Sequence, residues 1–382
     1  MRNIKQWLCF AAMLCLLLTG CGTADSTQKA GVWADMQPTG HMDLQYATQF
    51  QVDYYDGGYA LITIQDSDRL LLVPEQADVP EGLDADITVL QQPIQNIYVA
   101  ASSAMDLFSG LDALEQVRMT STKPSDWSLP EVRQAMENGD LLYVGKYNTP
   151  DYEQILAENC GLAIESSMIY HNPETQEQLE SLHVPVMVER SSYETHPLGR
   201  MEWMKLYGLL LGKTDEAEQY FDEKVQQLDT ILTDKETGKT VAFFYISSNG
   251  YVNVHKPGDY ISKMIELAGG SYVPTAEDLQ VEENALSTMN MQMEAFYAAA
   301  RDADYIIYNS TIDGELETIR QLLEKSPLLA DFKAVKNNNV WCTGKNMFQQ
   351  TTGAADMIAD LHTIVTDQAA EQDQLTFLHR LK

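Results

Sequence analysis

Residues 197–211 read as a helix that cannot lie on a protein surface. Leu198, Met201, Trp203, Met204, Tyr207, Leu209, Leu210 and Leu211 occupy much of its circumference, so it must be covered on more than one side. Gly212-Lys213-Thr214 punctuates it, and a polar amphipathic helix follows over 215–232. On either side of this pair, short apolar strands alternate with amphipathic helices, the pattern of a parallel α/β sheet. Upstream, strands are expected at 97–101, 116–120, 161–164 and 184–188, and helices at 103–108, 129–137, 150–158 and 173–182. Pro150 and Pro173 are placed where a first helical turn accepts proline. Downstream come a charged loop (234–239), a strand (240–246), helices at 259–267 and 290–300, and a strand at 305–308. A helix at 316–325, a strand at 339–342 and a closing helix near 354–366 complete the run. Two further segments, 50–55 and 59–64, alternate apolar and polar residues around Asp56-Gly57-Gly58, a β-hairpin signal. The expected fold class is α/β: two Rossmann-like lobes joined by one long helix, with a ligand cleft between them.

The first 20 residues carry Arg2 and Lys5 and no acid, followed by 12 unbroken apolar residues from Trp7 to Leu18. A spanning helix needs about 20 residues, so this stretch reads as the core of a secretory leader. It ends in Leu18-Thr19-Gly20-Cys21, which resembles the lipobox of bacterial lipoproteins. The resemblance implies that Cys21 becomes the lipidated first residue; the alternative is an ordinary leader with a coincidental cysteine. The expected order is leader 1–20, lipid-bearing linker 21–40, N-terminal lobe 41–196, joining helix and its successor 197–233, and C-terminal lobe 234–382. The chain is then extracytoplasmic and held to the cell membrane only by its lipid anchor. Of five cysteines, Cys9 and Cys15 leave with the leader. Cys160 and Cys342 are expected as free, buried thiols, since two distant cysteines make no disulfide framework.

With 25 Lys and Arg against 56 Asp and Glu, the net charge is −31. Wrapping nucleic acid needs clustered bases, so nucleic-acid partners are excluded. Enzyme signatures are also missing: there is no Gly-x-Ser-x-Gly, no His-Glu-x-x-His and no phosphate loop.

Pro150-Asp151-Tyr152-Glu153-Gln154-Ile155-Leu156, followed by Gly161-Leu162-Ala163-Ile164, resembles a segment of the substrate-binding lipoproteins of bacterial iron-siderophore, haem and cobalamin ABC importers. The match departs at Asn159-Cys160-Gly161, where that family usually has Lys-Pro-Asp. A second segment, Met291 to Phe296 leading to Ala303-Asp304-Tyr305-Ile306-Ile307, resembles its counterpart in the other lobe. The resemblance implies a rigid interlobe helix, a monomer, no resident cofactor or metal, and no enzymatic activity. It also implies two surface carboxylates, Glu153 and Glu294, that grip an ABC permease dimer coupled to its ATPase. The cargo it implies is an iron chelate, haem or cobalamin.

Ligands of α/β folds bind beyond the carboxyl ends of the strands, and the loops expected there are polar. The N-terminal lobe offers Ser102, Ser103, Trp127, Lys146, Tyr147, Ser166, Ser167, Met168, Tyr170, His171, Arg190, Ser191, Ser192 and Tyr193. From the C-terminal lobe come Ser248, Asn249, Tyr251, Lys256, Lys345 and Phe348. Aromatic side chains among hydroxyls suit a broad, flat ligand. Lys146, Arg190, Lys256 and Lys345, in a chain short of bases, suggest an anionic one, with Arg190 suited to bidentate contact. Binding of free zinc or manganese would draw on His171, Glu189, His196 and His255, though no His-x-His pair supports it. His196, just before Pro197, is expected to cap the long helix instead. A surface hydrolase is the remaining, more distant alternative.

Overall fold

A computed structural model describes residues 31–65, 68–232, 236–369 and 373–382. The leader, Cys21, the linker up to residue 30 and the start of the 234–239 loop lie outside the described residues. No described helix is long and apolar enough to cross a membrane.

Three sheets organise the chain. The first has five strands, β1 (Pro38–His41), β2 (Phe50–Tyr55), β3 (Ala60–Ile64), β4 (Arg69–Val73) and β5 (Ile87–Gln91), paired in sequence order, antiparallel except for the parallel β4–β5 pair. Its centre is the expected hairpin, in which Gly57 and Gly58 take φ values of 87° and 85° that favour glycine. The second sheet is all parallel, built from β6 (Ile97–Val99), β7 (Val117–Thr120), β8 (Leu142–Tyr143), β11 (Ala163–Ser166) and β12 (Val186–Glu189) in the order β12-β11-β6-β7-β8. A separate two-stranded ribbon, β9 (Gly145–Lys146) with β10 (Thr149–Pro150), follows β8. The third sheet holds β13 (Thr240–Ile246), β14 (Val252–His255), β15 (Ser271–Val273), β16 (Thr288–Met291), β17 (Tyr305–Tyr308), β18 (Val340–Thr343) and β19 (Leu378–Arg380). Strands β13, β15, β17 and β18 run parallel. The outer strands β14, β16 and β19 run antiparallel. This is the α/β, two-lobed architecture expected.

The joining helix, Pro197–Leu211, starts at His196, whose Nδ1 accepts the Leu198 N–H at 3.2 Å, and ends at Gly212 with φ 70°. All but three of its residues are buried. It packs chiefly on the following helix, Thr214–Ile231, and on Ala354–Val365 and Met105–Gly110 from the two lobes, while the β1–β5 sheet, which the sequence reading included in the N-terminal lobe, adds cover on another side. Phe50 on β2 meets Trp203 edge-on at 5.0 Å. The Glu202 carboxylate accepts the backbone N–H groups of Gln45, Tyr46 and Ala47 and pairs with Lys205 at 2.9 Å. Glu194 accepts the N–H groups of Thr48 and Gln49 and the Trp203 indole N–H. Chain 45–47 passes so close that a Cβ at Gly199 would lie 2.9 Å from the Tyr46 carbonyl oxygen.

Several boundaries differ from expectation for local reasons. Pro150 lies in β10, and the helix begins at Tyr152 with Asp151 as its cap, the carboxylate accepting the Gln154 N–H at 3.0 Å. Residues 288–291 add strand β16 to β14, so the helix expected from 290 is Met293–Ala300. The helix expected from 316 starts at Ile319, where Thr318 and Gln321 form a capping box. Cys160 and Cys342 are both free, and burial pushes their thiols up to about 11 and about 12.

Candidate functional site

The carboxyl ends of β7, β11 and β12 face those of β17 and β18 across a cleft floored by the start of the joining helix. Its larger cavity, about 640 Å³, is lined by Asp126, Trp127 and Arg133 from one lobe and by Ile312, Lys345 and Phe348 from the other. The smaller one, about 330 Å³, lies between Ser167, Ser192 and Tyr193 on one side and Asp259, Tyr260 and Leu286 on the other. A small recess of about 30 Å³, lined by Arg200, Tyr260, Met347 and Phe348, shares Tyr260 with the smaller cavity and Phe348 with the larger. Together the three hollows make up the trough between the lobes.

Direct bonds close one side of it. Gln349 accepts the Ser128 N–H at 2.6 Å and donates to the Asp126 carbonyl at 2.8 Å. Thr351 Oγ1 donates to the Ser103 carbonyl at 2.8 Å, and Asp106 accepts the Thr352 N–H at 2.7 Å. The lobes are thus pinned at the trough's end rather than joined by the helix alone.

Charge in the trough is asymmetric. Glu194 is saturated by three N–H donors, and Asp259 accepts from His255 Nδ1 at 2.7 Å and caps Ile261 at 3.0 Å. Arg190 and Arg200, by contrast, have no carboxylate within 4 Å among the described residues. The Arg190 guanidinium donates to Tyr170 Oη at 3.3 Å and to Gln49 Oε1 at 3.4 Å, and lies 4.5 Å from the Tyr193 ring centroid. That of Arg200 sits 4.0 Å over the Tyr260 ring. Burial pushes the Tyr260 hydroxyl up to about 12, Arg200 opposing, so the ring stays neutral beneath its cation. Two arginines stacked on tyrosines, with donors left over, are arranged to take oxygen ligands from an anion.

The expected ligand-contacting residues divide between places. Trp127, Lys345 and Phe348 come together in the larger cavity, and Ser167, Ser192 and Tyr193 in the smaller. Met168, Tyr170 and Tyr193 are exposed, and the two tyrosines flank Arg190. Ser103 lends its backbone carbonyl to the interlobe bond with Thr351 and lines none of these cavities, and Ser191 is buried, its N–H on Glu189 at 2.9 Å. Ser102, Lys146, Tyr147, Ser166, His171 and Arg190 belong to the N-terminal lobe without lining these cavities, Lys146 in β9 and Ser166 at the end of β11. The same holds in the other lobe for Ser248, Asn249 and Tyr251, which make the turn between β13 and β14, and for Lys256. Sequence reasoning missed Arg200, Tyr260, Arg133 and Gln349. Arg200 sits in the first turn of a helix that reads as core, and neutral polar residues carry no charge to mark them.

His171, Glu189, His196 and His255 do not converge. His255 is buried against Asp259, His196 caps the helix and stacks on Tyr46, and Glu189 is buried on the Ser191 N–H. Glu153 and Glu294 are each exposed in the first turn of a short helix, Tyr152–Ala157 and Met293–Ala300, one per lobe.

A family model described as periplasmic binding protein matches residues 99–347. An uncharacterized lipoprotein of Methanocaldococcus jannaschii is 26% identical over 354 residues, covering 85% of this chain and 82% of its own. Among solved structures, the periplasmic heme binding protein HutB of Vibrio cholerae superposes with a TM-score of 0.57 at 18% identity, over 70% of this chain and 98% of its own. The molybdate periplasmic binding protein MolA of Haemophilus influenzae superposes with a TM-score of 0.56 at 14% identity, over 73% of this chain and 89% of its own.

Proposed function

Because this chain belongs to the periplasmic binding protein family, whose members bind substrates rather than transform them, we propose that it captures an anionic iron chelate or a related tetrapyrrole for an ABC importer. The observation that carries this reading is the trough, with Arg200 lining it over Tyr260, Arg190 beside it on Tyr193, neither paired with a carboxylate, and Trp127 and Phe348 in its walls. Cavities of about 640 and 330 Å³ in one interlobe cleft suit a broad ligand. A single tetrahedral oxyanion, the ligand named for the molybdate-binding neighbour, would fill a small part of that space. The acidic, lipid-tethered design supports an extracytoplasmic location, with Cys21 as the lipidated residue, and a lipoprotein is among the relatives.

Delivery needs a second surface. Glu153 and Glu294, exposed on separate lobes, are the proposed contacts with basic residues of the permease dimer, where two carboxylates on rigid bodies read the lobe spacing. Alanine at both positions should lower uptake in cells and leave ligand affinity in solution unchanged. Equal loss of both would assign these residues to the cleft or to folding. The ligand itself is tested by quenching of Trp fluorescence with ferric catecholates, ferric hydroxamates, haem, cobalamin, molybdate, Zn²⁺ and Mn²⁺. Saturable quenching by an anionic chelate or tetrapyrrole supports the reading. Response to molybdate alone would replace it with oxyanion transport.

A further inference from the structure

The loop that leaves β17 for the helix Ile319–Lys325 runs beside the C-terminal strand β19, and alternate residues face opposite ways. Leu316 is buried, its N–H on Cys342 Sγ at 3.4 Å, while Glu315 and Glu317 on either side are exposed. The Leu316 carbonyl accepts the Nε2–H of His379 from β19 at 2.7 Å. In the neutral ring this leaves the lone pair on Nδ1. Glu315, Glu317 and His379 each offer a ligand atom, all within 4.8 Å of one another. Two carboxylates that close repel each other. Among the described residues, no Lys or Arg nitrogen lies within 4 Å of either.

We propose that Glu315, Glu317 and His379 form a binding site for one divalent transition-metal ion of the zinc or manganese type. One imidazole and two carboxylates match the donor preference of those ions and balance a double positive charge. The ligands are held from behind, as metal ligands usually are. His379 is oriented by the Leu316 carbonyl, and Glu315 Oε1 takes the Lys345 N–H at 2.8 Å. The Glu317 N–H is tied to Gln321 at 2.7 Å. Three protein ligands leave coordination positions open. Glu315 also lines the larger cavity, so the ion stands at the rim of the trough beside Lys345. The site goes beyond the importer reading and stands without it, because its ligands are none of the residues that grip the cargo.

Calorimetric titration of the chelator-stripped, processed chain with ZnCl₂ and with MnCl₂, in the absence of any chelate, tests the assignment. One saturable site per chain at micromolar or tighter Kd is expected for at least one ion. Glu317→Gln and His379→Ala should each weaken it about tenfold or more, and Arg200→Gln should leave it unchanged. Glu317 is exposed, so Glu317→Gln keeps the test valid if His379→Ala fails to fold. Absence of saturable binding overturns the site, as does parental affinity in Glu317→Gln. Loss of ion binding with chelate binding intact would sink this inference alone, and the reverse would sink only the cargo reading.

Discussion

In a chain with 56 acids and 25 bases, an arginine that finds no carboxylate is informative. Arg190 and Arg200 both take tyrosine faces instead, an arrangement that keeps the guanidinium planar, partly desolvated and available. A loop position made Arg190 visible in the sequence, whereas Arg200 is hidden between Gly199 and Met201 in a helix whose pattern says only that it is buried. At the same scale, Glu165 on β11 is fully buried and neither carboxylate oxygen finds a partner among the described residues. Burial alone pushes its carboxyl from 4.5 up to about 8. Below pH 4.5 the folded and unfolded states both hold the proton and nothing is lost. Between 4.5 and about 8 the unfolded chain releases it and the folded chain keeps it, so this residue lowers stability progressively as pH rises, levelling off above that window. Glu165→Gln should therefore raise stability at pH 7 by about 3 kcal/mol and change little at pH 4.5. Denaturant titrations at the two pH values check it; an equal effect at both would mean that the carboxyl is not neutral in the folded protein.

At the scale of elements, the joining helix is the most legible feature, because a stretch apolar all round can only be covered. What covers it was less legible. The sequence marked the β2–β3 hairpin through its two glycines, but β1, β4 and β5 carry no comparable turn signal. The attachment depends on Glu194 and Glu202, which read as ordinary surface acids among many. The helix expected from 290 takes in the last two residues of β16, because Thr288 to Met291 is too short for a period to show. Pro150 fits a first helical turn and an edge ribbon equally well. Since Glu202 is buried, pairs with Lys205 and holds three backbone N–H groups, Glu202→Ala should cost about 3 to 5 kcal/mol of stability. A loss under about 1 kcal/mol in urea unfolding would mean that the sheet and helix are held by apolar packing alone.

For the whole molecule, the strand-end rule points to loops that line hollows between the lobes, and which of those loops reach across is a separate matter. Gln349, Thr351 and Asp106 do so by direct bonds, and such contacts give neutral residues no signal in a lone sequence. Pinned on one side and joined by a helix buried on several, the lobes should move little on loading. Solution scattering should show no resolvable change in radius of gyration between free and loaded forms; a change of several ångströms would mean that the interlobe bonds break.

The central claim is that the trough holds an anionic cargo, with Arg200 lining it and Arg190 at its edge on Tyr193, and titration of Trp fluorescence in the parent and in Arg190→Gln and Arg200→Gln tests it most directly. With the chelate that the parent binds best, each variant should lose about 2 kcal/mol, roughly 30-fold in Kd, with melting temperature unchanged. Parental affinity in both variants, or tight binding of a neutral hydroxamate in preference to every anionic chelate, would contradict the account.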